Sequence, residues 1–157
     1  MNITTILLLY VSLTGTLLAS VQSCDDLKTD CEYYLCIEAE KNCGAKGYLK
    51  SFGYRYCNKF TNIQNSHFSE ESKSWINKTK NCLINSIDNL DQELSCKTFK
   101  RKAFEQHKYC YVSSGFCALD NTEKRKVIRT IGFSVLKPRT LKTGLAVIKS
   151  CLRSPKI

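Results

Sequence analysis

The first 23 residues contain no Asp, Glu, Lys or Arg, and the 157-residue chain has only two prolines, one methionine and one tryptophan. Its apolar stretch, Ile6 to Leu18, is shorter than the roughly 20 residues a spanning helix needs, and no longer hydrophobic run follows. A stable membrane span is therefore not expected. No two cysteines stand as Cys-x-x-Cys and no Cys/His knuckle is present, which argues against zinc. Gly-x-Ser-x-Gly, His-Glu-x-x-His and the acidic ladder of an EF-hand are missing too, as are the adjacent cysteines and His-Asp pair of a secreted phospholipase. These absences remove the motif-bearing hydrolases and the calcium sensors, and no internal repeat suggests a solenoid.

What remains at the N-terminus reads as a signal peptide over residues 1–23, with Val21 and Ser23 placed for cleavage before Cys24. Val21-Gln22-Ser23-Cys24 also loosely resembles a bacterial lipoprotein box, but acylating Cys24 would strand one of the other nine cysteines. Residues 24–157 then form a single domain that holds all ten cysteines. A reducing cytosol does not sustain that density, whereas small secreted domains use crosslinks to supplement a limited core. The expected location is extracellular, or periplasmic or exported in a bacterium.

Charge divides the chain. Residues 24–96 carry 9 basic and 11 acidic side chains, and residues 97–157 carry 15 basic and 3 acidic. The basic half favours acidic partners: sulfated glycans, anionic headgroups or an acidic protein face. The segment Cys24 to Cys57 packs five cysteines among Gly44, Gly47 and Gly53, and reads as loop-rich. A short helix is expected over Cys31–Cys36, and the alternation Phe52, Tyr54, Tyr56 offers a strand as an alternative.

Four amphipathic helices follow. Ser69 caps a helix expected over Glu70–Leu94, with Glu70 and Glu71 in its first turn and Trp75, Ile76, Leu83, Ile84, Ile87 and Leu94 as its apolar positions. A second, Thr98–Tyr111, carries Phe99, Ala103, Phe104 and His107 on one stripe and stops at Gly115. A third, Asn121–Leu136, capped by Asn121 or Thr122, presents Val127, Ile128, Ile131, Val135 and Leu136 and is broken by Pro138. A fourth, Thr140–Leu152, presents Leu141, Leu145, Ile148 and Leu152. The fold class is thus all-α: a disulfide-stapled bundle of about four amphipathic helices behind a loop-rich, cysteine-dense N-terminal segment.

Two histidines raise the question of acid/base chemistry. Cys96-Lys97-Thr98-Phe99 is similar to the Lys-Thr-Phe neighbourhood of pancreatic-type ribonucleases, which is a remote alternative because Lys97 and His107 sit in a helical pattern and that site belongs to a strand-rich fold. His107 fits better as a side chain on the helix stripe, and His67 as a polar loop residue. Asn77-Lys78-Thr79 is a glycosylation sequon, which asks Asn77 to face outward.

Cys82, Cys96, Cys110, Cys117 and Cys151 are separated by 13, 13, 6 and 33 residues. This cysteine order resembles that of the stanniocalcins, secreted glycoprotein hormones. Phe68 to Ser86, with Lys73, Trp75, Lys80, Cys82 and Asn85, and the following run Cys96-Lys97-Thr98-Phe99 through Cys110-Tyr111 to Cys117, are similar to successive segments of that family. The resemblance spans Cys24 to Cys151 and rests on cysteine placement more than on shared side chains. It implies five bridges: Cys24 with Cys36, Cys31 with Cys57, Cys43 with Cys96, Cys82 with Cys110, and Cys117 with Cys151. Composition alone leaves every pairing open.

Departures from the family are equally informative. Stanniocalcins continue past the tenth cysteine into a further helix and an eleventh cysteine that links a homodimer, whereas this chain stops six residues after Cys151, so a covalent homodimer is not expected. The family's sequon lies between its third and fourth cysteines, where Ile37 to Asn42 has none. The functional expectation is a secreted, non-enzymatic, hormone-like regulatory protein, with roles in mineral balance or in inhibiting pappalysin metalloproteases implied by the resemblance alone. The expected partner is a protein receptor or protease, or an acidic glycan, with no nucleic acid and no cofactor. The residues expected to meet it are Lys124, Arg125, Lys126, Arg129, Lys137, Arg139 and Lys142, because clustered cations speed encounter with an acidic surface. A cationic defence or membrane-acting protein is the alternative.

Overall fold

A computed structural model of the protein describes residues 23–153, apart from the side chains of residues 64–66. Except for Ser23, the expected leader lies outside the described residues. Ser23 accepts a hydrogen bond from the Asp25 amide and starts a short 3-10 turn, Cys24–Leu27. Six α-helices follow and, among the described residues, no strand.

The N-terminal segment departs most from expectation. The short helix over Cys31–Cys36 is instead α1, Tyr33–Lys41, which ends where Asn42 adopts φ 50 and turns the chain left-handed. Leu49–Tyr54 forms a π-helical turn that runs directly into α2, Arg55–His67. The loop-rich reading and the strand alternative are both corrected here. Leu49, Phe52, Tyr56, Phe60 and Ile63 recur every three or four residues, the spacing of a helix face, and the Phe52 and Tyr56 rings pack tilted against each other with centroids 4.6 Å apart. Gly53 permits the packing, since a Cβ there would lie 2.4 Å from the Tyr34 ring. His67 is the last residue of α2 rather than part of a loop.

The four expected helices are present with shifted ends. Ser69 caps α3, Glu70–Asp88, by accepting from the Ser72 amide. The helix stops short of Leu94 because Asn89 and Gln92 turn their side-chain amides onto the carbonyls of Asn85 and Ile87. Leu94 still packs on the core, and Lys41 donates to its carbonyl at 2.6 Å. Helix α4, Cys96–Ser113, is capped by Ser95 and ended by Gly115 at φ 105, a conformation that costs glycine little. The cap of α5, Asn121–Ile131, is Asp120, not Asn121 or Thr122: its carboxylate accepts from the amides of Thr122 and Glu123. Gly132, at φ 60, converts the expected extension to Leu136 into a 3-10 turn. Pro138 opens α6, Pro138–Arg153, where its missing N–H is no loss.

The structure joins the ten cysteines as Cys24–Cys36, Cys31–Cys57, Cys43–Cys96, Cys82–Cys110 and Cys117–Cys151. Helices α3 and α4 lie side by side behind Cys82–Cys110, with α1 and the π turn packed beneath them and α6 against α4. The main core gathers Tyr33, Tyr34, Tyr48, Leu49, Phe52, Ile84, Ile87 and Phe99. A smaller cluster, Phe68, Trp75, Ile76, Leu119 and Val127, joins α3 to α5. Two polar ties complete the frame. Tyr33 donates to Asp88 at 2.8 Å, and Lys28 pairs with the other oxygen of that carboxylate at 2.9 Å. Glu123, at the start of α5, accepts from the Ser69 amide at the start of α3 and pairs with Lys126 at 2.6 Å. Burial alone would raise the Glu123 pKa, but the bonds from Lys126, Ser72 and Ser69 outweigh it and bring the carboxyl down to about 2.

Candidate partner-binding face

On an α-helix, residues at i, i+4, i+7 and i+11 share one face. Leu141, Leu145, Ile148 and Leu152 hold those positions on α6, and the sequence predicts that this stripe faces the core. The structure turns it outward: Leu145 is 59% exposed, Ile148 52% and Leu152 82%. The inward side carries Thr140 and Val147, both buried, and Cys151, whose bridge to Cys117 ties the end of α6 to the turn after α4. Small side chains let α6 lie close to α4, so the large ones are left outside.

The exposure continues beyond α6. Ile128 on α5 is half exposed, and Phe133 and Leu136 in the connecting turn are 91% and 68% exposed. Between α5 and α6 runs an apolar groove of about 150 Å³, walled by Val127, Ile128 and Ile131 on one side and Leu141, Leu145 and Ile148 on the other. Gly144 also lines it, and a Cβ there would meet nothing within 4 Å. A contiguous apolar patch of this kind marks an interaction surface more often than a lone exposed leucine does.

The expected cations divide into two groups. Lys124 donates to the Cys117 carbonyl at 2.9 Å, Lys126 is paired with Glu123, and Arg125 donates to the Asn121 carbonyl at 3.2 Å. Arg129, Lys137, Arg139 and Lys142 are exposed and form no ion pair among the described residues. Two cations outside the expected set, Lys149 and Arg153, lie at i+7 and i+11 from Lys142, so the three share one edge of α6 beside the leucine stripe. That signal was present in the spacing, but it is informative only once the stripe is known to face solvent.

The remaining expected residues lie elsewhere. Asn77 is exposed on α3, and Thr79 of its sequon is buried. His107 is buried at 3% exposure, stacked on Phe104, with Nδ1 2.9 Å from the Ala103 carbonyl and Nε2 3.5 Å from the Tyr48 hydroxyl. Those partners describe a neutral ring whose Nδ1–H donates to the backbone. Burial pushes its pKa down to about 4, more than the Ala103 bond raises it. His67, by contrast, is exposed. Among the described residues no three His, Cys, Asp or Glu side chains group to hold a metal ion, and no helix is long and apolar enough to cross a membrane. The face on α5 and α6 has the means to grip an apolar ridge and to attract negative charge around it. No protein-family model, curated protein or solved structure matches the chain.

Proposed function

We propose that the protein is a secreted, non-enzymatic, stanniocalcin-like regulatory protein that acts by holding a partner protein on its α5–α6 face. The observation that carries this reading is the solvent-facing stripe Leu141, Leu145, Ile148 and Leu152 beside the cationic edge Lys142, Lys149 and Arg153. The five crosslinks support an oxidising, extracellular setting, and they hold the face in place before a partner arrives, which lowers the ordering cost of binding. The occupant is an amphipathic helix with acidic flanks, supplied by a receptor or a protease. Its apolar side fills the groove and its carboxylates meet the cations. A second copy of this chain fits less well, because it would bring two cationic edges together.

Titration of the secreted protein with a synthetic amphipathic helix of Leu and Glu tests this. Binding should weaken as salt rises, and Leu145→Glu with Ile148→Glu should reduce it at least 10-fold. Affinity that is indifferent to salt and to both substitutions sinks the reading. A second reading, a membrane-acting cationic protein, is favoured by the protrusion of Phe133 and Leu152, the geometry of side chains that enter an interface. Binding to vesicles of anionic phospholipid, with none to the peptide, would establish that reading in its place.

A further inference from the structure

Three distant stretches of the chain bring lysines and arginines to one cleft. Lys46 comes from the turn after α1, Lys97 and Lys100 from the first turns of α4, and Lys137 and Arg139 from the start of α6. The cleft encloses about 630 Å³ and no acidic side chain lines it. None of the five cations forms an ion pair among the described residues, although five such pairs occur elsewhere. In a chain with 14 acidic residues, the convergence of five unneutralised cations from three segments reflects the tertiary fold, since no single run of sequence contains them.

The cleft is also built. The Cys43–Cys96 bridge lines it and locks the Lys46 turn against the start of α4. Helices α4 and α6 both begin there, so two sets of backbone amides and two positive dipole ends add to the side chains. Thr140 lines it as well: it is 8% exposed, and its hydroxyl has no hydrogen-bond partner.

We propose that this cleft is a binding site for a sulfated glycan, with Lys46, Lys97, Lys100, Lys137 and Arg139 meeting successive sulfate groups. A cleft open along its length suits a chain with repeated charges better than a single small anion. The extracellular setting supported by the disulfides favours a glycan over a nucleic acid. The proposal is independent of the α5–α6 reading, because three of its five cations, Lys46, Lys97 and Lys100, lie outside the cation set assigned to that face.

Binding of a heparin hexasaccharide to the secreted protein, measured by calorimetry, tests it with two variants of equal charge change. The triple Lys46→Ser, Lys97→Ser, Lys100→Ser removes cations from the cleft, and the triple Lys59→Ser, Lys78→Ser, Lys108→Ser removes exposed cations elsewhere. The first should weaken binding at least 10-fold and flatten its salt dependence, while the second stays within about 2-fold of the unaltered protein. Leu145→Glu should leave hexasaccharide binding unchanged, which separates failure here from failure of the α5–α6 reading. Equal loss in both triples would mean that only net charge matters and would overturn the proposal. So would a DNA oligonucleotide of matched charge that binds as tightly as the hexasaccharide, or complete competition by inorganic sulfate at matched ionic strength.

Discussion

Residues 24–113 and residues 116–153 are both helical and both patterned with apolar residues at helical spacing, yet they use that pattern in opposite ways. The first region holds four of the five crosslinks within itself and buries most of its aromatic side chains in the main core cluster. The second has one bridge, and among the described residues every large apolar side chain that stands clear of the core, apart from Tyr109, belongs to it. A periodic stripe specifies a face but not what lies opposite that face. In α4 the stripe of Phe99, Ala103 and Phe104 meets the π turn, whereas in α6 the stripe meets solvent and the helix is seated by Thr140, Val147 and a disulfide. The difference is that between a frame and a surface mounted on it.

Substitution should break this contrast most sharply at Phe99, which is 1% exposed. Phe99→Ala removes a fully buried ring and should cost about 4 kcal/mol in chemical denaturation, the usual range for such a cavity. A loss below about 1 kcal/mol would mean that the N-terminal core is not the stabilising unit. The next largest effect concerns the single bridge of the second region. Cys117→Ser with Cys151→Ser opens a loop of 34 residues' separation and should cost roughly 3 kcal/mol, with faster amide exchange along α6 and unchanged protection in α3 and α4. Exchange that quickens equally in both regions would remove the distinction between them.

Acid probes the frame chiefly through His107, while Glu123, between α5 and α3, begins to lose its own contribution only below about pH 4.5. The folded pKa of His107 lies at about 4 against 6.5 for the free side chain, so the unfolded chain binds a proton that the folded chain refuses. The stabilisation is complete above pH 6.5 and is lost as the pH falls from 6.5 to 4, amounting to about 3 kcal/mol. Urea midpoints at pH 7 and pH 4 should show that loss, and His107→Leu should flatten the slope across that window. The smallest effect is expected on the surface: Leu145→Ser should change stability by less than about 0.5 kcal/mol, because this side chain already meets water. A cost comparable to that at Phe99 would show that the α6 stripe is buried in solution by something absent from the isolated chain.

Much of the frame was legible in residue order. The start of α3 follows from Ser69 as its cap and the stop of α4 from Gly115, a residue that accepts positive φ, whereas the starts of α4 and α6, expected at Thr98 and Thr140, fall earlier because Ser95 caps the one and Pro138 opens the other. Helix α2 was missed because glycines and cysteines around Tyr48 to Cys57 signal turns when taken singly. Its aromatic spacing becomes decisive only when Tyr34 is seen packed against Gly53. Helix α5 ran too long in expectation because Val135 and Leu136 keep the apolar pattern, although Gly132 has already left the helical conformation.

Residue order by itself determined the all-helical class, the cysteine density that implies an oxidising compartment, and the concentration of positive charge after Lys97, because propensity, spacing and composition are local or additive quantities. The tertiary structure alone decided that His107 sits neutral among aromatic rings, that the leucines of α6 face water, and that Lys46 shares a cleft with Lys97, Lys100, Lys137 and Arg139. Each of those outcomes depends on which element lies against which. That arrangement is set by the sum of many weak contacts and a few covalent ones across the whole chain, not by any stretch of it.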